Sequence, residues 1–168
     1  MMNNVGIVKG DVCSTFAMPS PQDVRALSKY VDVFIQSNAG AECGYTDNEY
    51  AFEGCFVRDN SEDVIQSADL ILFQNPIPGP LSPLGKKVIV ANIDFVNDRE
   101  QLKLFMHKNI DLYSFDAIND HENTGVFKDK FVNFVRFHLG DTVQSEYISL
   151  FSSSKILSAG EIVHKDLL

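Results

Sequence analysis

Basic residues are scarce in this 168-residue chain, where 14 Lys and Arg stand against 23 Asp and Glu for a formal net charge of −9. A surface that acidic repels phosphate backbones and anionic lipid, so neither nucleic acid nor a membrane surface is an expected partner. Long apolar runs are missing too. Val88-Ile89-Val90-Ala91 is typical of the longest, whereas a bilayer span needs roughly 20 residues, so direct membrane insertion is not expected. The opening Met1-Met2-Asn3-Asn4-Val5-Gly6 has no basic stretch leading into an apolar one, and no signal peptide is expected there. Cysteines are few and odd in number. Cys13, Cys43 and Cys55 show no paired spacing, a pattern that predicts reduced thiols and a cytoplasmic location. What is present in quantity is apolar material, 45% of residues, enough for one well-packed core in a chain about one domain long.

The first two thirds alternate short β-branched runs with helical patterns, which predicts an α/β fold with a parallel sheet covered by helices. Strands are expected at Val5–Val8, Val31–Ile35, Cys55–Val57, Asp69–Phe73, Lys87–Ile93 and Ile110–Phe115. Ser20-Pro21 offers a cap and a first-turn proline for a helix carrying Val24 and Leu27. Thr46-Asp47-Asn48-Glu49 is a capping box, and the helix it opens should stop at Gly54. Ser61-Glu62-Asp63 is expected to cap the next helix, and Asn97-Asp98-Arg99-Glu100 to open one with Leu102, Phe105 and Met106 on one face. Asn75-Pro76-Ile77-Pro78-Gly79-Pro80 is too rich in proline for strand or helix. Beyond a polar junction near 119–126, Phe127, Phe131, Phe134, Val135 and His138 recur at helical spacing. Gly140 should end that helix, and a short extended pattern around Ile156 and Glu161-Ile162-Val163 closes the chain.

The search for chemistry is mostly negative. The ten glycines never take the Gly-x-Gly-x-x-Gly spacing of a dinucleotide turn, and there is no Gly-Lys-Ser/Thr phosphate loop. The histidines 107, 121, 138 and 164 are scattered and the cysteines lack ligand spacing, so no metal site is expected. His138 reads as a histidine at the edge of an apolar helix face. No Gly-x-Ser-x-Gly elbow is present. What remains is positional, because ligands of doubly wound sheets sit outside the carboxyl ends of the strands. Those ends carry Asp11, Cys13, Ser37, Gln74, Asn75 and Asp94. Asp94 follows a very apolar strand and is either a perturbed, functional carboxylate or the cap of a loop or of the helix near Asn97.

The run Ala39-Gly40-Ala41-Glu42-Cys43-Gly44-Tyr45-Thr46-Asp47-Asn48-Glu49-Tyr50, followed by Glu53-Gly54-Cys55 and Ala68-Asp69-Leu70-Ile71-Leu72-Phe73-Gln74-Asn75, resembles the N-terminal domain of the alanine dehydrogenase/NAD(P) transhydrogenase family. Val96-Asn97-Asp98-Arg99-Glu100 and Phe115-Asp116-Ala117-Ile118 are similar to later motifs of that domain, in the same order. Near the end, Lys130-Phe131-Val132-Asn133-Phe134 and Leu157-Ser158-Ala159-Gly160-Glu161-Ile162-Val163-His164 resemble the closing segment of the transhydrogenase alpha subunit. The resemblance implies a doubly wound, flavodoxin-like, mostly parallel sheet of about six strands, with helices on both faces and a returning C-terminal helix. It also implies one domain over 1–168: an α/β part at 1–118, a junction at 119–126 where the family inserts its NAD-binding Rossmann domain, and a returning segment at 127–168.

Departures from the family are as informative. Its arginine falls on Phe16, its lysine on Phe73 or Gln74, and the dehydrogenase histidine on Asp94. Charged groups of that kind grip a substrate carboxylate or carbonyl, and phenylalanine can do neither. The candidate cleft is therefore Phe16, Phe73, Gln74, Asn75 and Asp94, with no catalytic, cofactor-binding or metal-ligating residue assigned. NAD serves the parent family, but no cofactor is expected for this chain alone. Two functions stay open: a truncated relative of the transhydrogenase alpha subunit acting with other transhydrogenase subunits, or a non-catalytic binding or regulatory module. A third, a small enzyme built on Asp94, is weaker. A homodimer is a further expected assembly.

Overall fold

The computed structural model describes residues 2–10, 18–74, 87–91, 99–114, 127–158 and 161–163. Six parallel strands, β1 (Asn4–Val8), β2 (Asp32–Gln36), β3 (Phe56–Arg58), β4 (Leu70–Phe73), β5 (Lys87–Ala91) and β6 (Ile110–Ser114), form most of one sheet. Two short strands, β7 (Lys155–Ser158) and β8 (Glu161–Ile162), extend it antiparallel. The order is β3-β2-β1-β4-β5-β6-β7-β8. The chain thus winds outward one way from β1 and the other way from β4, as a doubly wound sheet does.

Helices α1 (Pro21–Leu27), α2 (Asp47–Phe52), α3 (Ser61–Ser67), α4 (Arg99–Met106), α5 (Phe127–His138) and α6 (Ser145–Ser153) cover both faces. Strand alternation divides the core into two layers. Val5, Ile7, Leu70, Leu72, Val90 and Tyr113 point to α1, α2, α5 and α6, where Leu27, Tyr50, Phe131, Phe134 and Phe151 meet them. Val8, Ile71, Phe73, Ile89, Ala91 and Leu112 point to α3 and α4, against Val64, Ile65 and Phe105.

Local chemistry explains most boundaries. Ser20 and Asp23 form a reciprocal capping box at α1, and Thr46 and Glu49 form another at α2. Gly54 and Gly140 take φ values of +94° and +74°, ending α2 and the turn after α5 in the left-handed conformation that glycine tolerates. Two expectations need correction. The cap of α3 is Asn60, whose Oδ1 accepts from the Asp63 N–H at 2.9 Å, and Ser61 is the first helical residue. The segment after Gly140 holds a helix, α6, that the sequence pattern did not announce. The mostly parallel sheet of about six strands is as expected, and the expected extended tail adds β7 and β8 to it antiparallel. The proline-rich stretch at 75–80, the start of the α4 helix at Asn97 and the 119–126 junction lie outside the described residues.

Candidate functional site

The sheet reverses its winding between β1 and β4, which pair in register with Val8 beside Phe73. The crevice where ligands of such sheets bind opens beyond those two strand ends. On the β4 side, Phe73 and Gln74 alternate across the sheet. Phe73 is buried in the α3/α4 layer and is a core residue. Gln74 turns the other way, is also buried, and its amide Nε2 donates to Met18 Sδ, itself part of the α1 layer. On the β1 side, the Lys9 N–H donates to the Gln36 side-chain carbonyl at 3.0 Å, tying the ends of β1 and β2 together. Of the other candidates, Phe16, Asn75 and Asp94, together with Asp11 and Cys13, lie outside the described residues. The structure brings Phe73 and Gln74 to one strand end and sends their side chains to opposite layers.

Ser37, at the end of β2, is engaged structurally. Its hydroxyl donates to Asp47 Oδ2 at 2.7 Å, and the Asn38 N–H donates to Asp47 Oδ1 at 2.8 Å. Asn38 sits at φ +62°, a conformation asparagine tolerates better than most residues. The loop that follows closes over Tyr50. A Cβ on Gly40 would stand 2.6 Å from the Tyr50 ring, so the ring requires glycine there. The Tyr50 hydroxyl donates to the Pro19 carbonyl at 2.7 Å, and burial raises its pKa far above the ordinary range. The Tyr50 phenol is a neutral strut between α2 and the entry to α1.

The thiols split into two kinds. Cys55 is free and buried, and burial pushes its pKa up to about 12, which makes it unreactive. Cys43 is disulfide-bonded, which corrects the expectation of three reduced thiols. Lys87, which the sequence reading passed over, is half-buried, and burial lowers its pKa. Its ammonium donates to the carbonyls of Ile65 and Ala68, closing the C-terminal end of α3 as a lysine does at the negative end of a helix. A periodicity search cannot find that role, because it depends on β5 lying beside α3.

An open groove of about 770 Å³ lies elsewhere, between the first turn of α1 and α2, with Tyr45 and Phe52 among its walls. Its carboxylates are committed: Asp23 and Glu49 to the two capping boxes, Glu53 to Arg25 at 3.8 Å. Among the described residues no group of three His, Cys, Asp or Glu could hold a metal, and no helix is long and apolar enough to cross a membrane.

Among the described residues, the ends of β1 and α1 do not form the turn that holds a dinucleotide. Residues 9–20 intervene between the end of β1 and the start of α1, whereas a pyrophosphate needs a Gly-rich turn running straight into a helix.

These features define a doubly wound α/β domain. The chain belongs to the alanine dehydrogenase/PNT N-terminal domain family, whose model matches residues 17–128. It is similar in fold to an L-alanine dehydrogenase (20% identity, TM-score 0.59, covering 72% of this chain and 34% of that one). It is likewise similar to a transhydrogenase from Sinorhizobium meliloti (21% identity, TM-score 0.56, covering 68% and 34%). The chain therefore spans about a third of the length of these solved structures. A comparison with curated protein sequences returns no match.

Proposed function

We propose that this chain is a non-catalytic module built on the N-terminal domain of its family, one that transfers no hydride by itself. The observation that carries this reading is how the returning segment closes. Strand β7 pairs antiparallel with β6, and Phe131, Phe134 and Val135 of α5 share one core layer with Val5 and Ile7 of β1. One domain over 1–168 accounts for this, with residues 119–126 as a bridge too short to carry an inserted nucleotide-binding domain. Hydride transfer needs a cofactor held at close range, and the sequence carries neither a Gly-x-Gly-x-x-Gly turn nor a Gly-Lys-Ser/Thr loop to hold one. Retained binding would favour a small neutral or cationic ligand, given the chain's net charge of −9. The likeness of the closing segment to the transhydrogenase alpha subunit supports other transhydrogenase subunits as partners, which would supply the nucleotide site.

Calorimetric titration of the pure chain with NADH and NADPH tests the reading, together with an assay of pyruvate reduction in the presence of ammonium. No binding at micromolar cofactor and no turnover are expected. Micromolar affinity for either nucleotide, or turnover above the uncatalysed rate, overturns it.

A further inference from the structure

Strand β3 ends the sheet, and among the described residues no strand pairs with its outer side. Its register with β2 places Phe56 beside Phe34, Val57 beside Ile35 and Arg58 beside Gln36. The Arg58 carbonyl accepts from the Ser37 N–H at 2.7 Å, so the main-chain groups of Arg58 face β2. Main-chain direction alternates along a strand. Phe56 therefore also faces β2, and Val57 turns both its N–H and its C=O outward.

The side chains flanking Val57 share one face of the sheet. Phe56 is 45% exposed and stacks on Phe34 with ring centroids 5.2 Å apart. The Arg58 guanidinium lies 5.1 Å from the Phe34 centroid and 6.0 Å from that of Phe56. No salt bridge among the described residues ties Arg58 down. Edge strands are ordinarily protected by lysine, proline or a covering loop; β3 instead offers an aromatic ring, a guanidinium held over it, and an outward donor–acceptor pair.

We propose that β3 pairs antiparallel with β3 of a second copy of this chain, across a two-fold axis at Val57, joining the two sheets into one. In that register each Val57 N–H donates to the Val57 carbonyl of the other copy. Phe56 stands directly across from Arg58 of the other copy, and Arg58 across from its Phe56. The intrachain stacking of guanidinium on ring is thus repeated twice across the axis. A second copy is favoured over a foreign strand because one symmetry operation satisfies the outward donor, the outward acceptor and both ring–guanidinium pairs. The net charge of −9 on each copy opposes association, so the dimer tightens as salt screens the repulsion toward about 0.15 M. A three-residue edge makes a small interface, of the weak and transient class.

Sedimentation equilibrium of the full chain, from about 5 to 500 µM, reads this directly. The mass should rise from 18.8 kDa toward twice that value across the range. Val57→Pro deletes only an outward N–H and leaves the bonds to β2 in place, and it should weaken association about tenfold or more with the far-ultraviolet spectrum unchanged. Should the proline variant fail to fold, Arg58→Glu replaces the guanidinium opposite Phe56 with a carboxylate and should weaken association similarly. A monomer at every concentration overturns the proposal, and so does a dimer that a folded Val57→Pro or Arg58→Glu chain forms as tightly as the parent.

Discussion

On one face of the sheet the core is built around aromatic rings, and on the other mostly around aliphatic side chains. Tyr50, Tyr113, Phe131, Phe134 and Phe151 fill the first layer, with Phe134 set edge-on to Tyr113 at 5.1 Å and to Phe151 at 5.2 Å. Three of those five rings come from α5 and α6, beyond the junction. The second layer is mainly Val, Ile, Leu and Ala from α3 and from strands β1, β4, β5, β6 and β7, with Phe73 and Phe105 among them. The contrast teaches where each face draws its stability. Rings bury much surface each and hold helices at a distance, whereas small residues let α3 approach β1 until little space is left.

Removing the returning segment is the harshest way to break that comparison. Truncation after Glu122 takes away Phe131, Phe134, Val135 and Phe151, all fully buried. Each is worth roughly 1.5–3 kcal/mol, so together they rival the 5–15 kcal/mol or so that holds an ordinary domain folded. An insoluble or non-cooperative product is expected in scanning calorimetry. A monomeric truncated chain melting at the parent temperature would show that the aromatic layer contributes nothing.

Acid probes the same layer from inside. His138 packs against the rings of Tyr113, Phe134 and Phe137, at 5.1, 4.6 and 5.2 Å, and its Nε2 has no hydrogen-bond partner among the described residues. Burial pushes its pKa down to about 4; Lys155 adds to the depression and Asp111 opposes it. The unfolded chain binds this proton near pH 6.5 and the folded chain only near pH 4. The contribution is therefore complete above about 6.5, lost progressively as pH falls to 4, and constant below that, a total of about 3 kcal/mol. Urea unfolding of the parent and of His138→Phe at pH 7 and pH 4.5 isolates it. The parent should lose about 2–3 kcal/mol more than the variant between the two values; equal losses would mean that the ring is protonated inside the fold at no cost.

How much of this was legible follows the same division. Strands β1 to β4, the Ser20 cap, the Thr46–Glu49 capping box and the stop at Gly54 depend on neighbours in sequence, and the pattern shows them. Helix α6 depends on burial. Gln144 offers it no capping side chain, its serines are weak helix formers, and its Phe151 is explained only by the layer it enters. The shift of the α3 cap from Ser61 to Asn60 is one residue between two good capping types. At the site, β4 is apolar on both faces because both are covered, so no alternation separates Phe73 from a cleft-facing position. The Cys43 disulfide depends on which loops meet, and cysteine spacing carries no record of that.

The finest probe of the comparison is one methyl group. Gly6 sits in β1 between Val5 and Ile7, which face the aromatic layer, so a side chain at position 6 would enter the other one. A Cβ there would stand 2.8 Å from the Ala68 Cβ and 2.9 Å from Val64 Cγ1, with the Val64 carbonyl at 3.3 Å. None of these atoms is the far end of a flexible side chain, so α3 itself must move. Glycine also costs backbone entropy in a strand, and an alanine that fitted would stabilise by a few tenths of a kcal/mol or more. Overpacking of this kind costs about 1–3 kcal/mol and should win, so Gly6→Ala is expected to destabilise by that amount in urea unfolding. The added change Ala68→Gly removes the nearest obstruction and should recover part of the loss, a coupling that two independent sites would lack. A stable Gly6→Ala chain, or a double variant whose losses simply add, would mean that α3 rides on β1 with slack and that the aliphatic face is no tighter than the aromatic one.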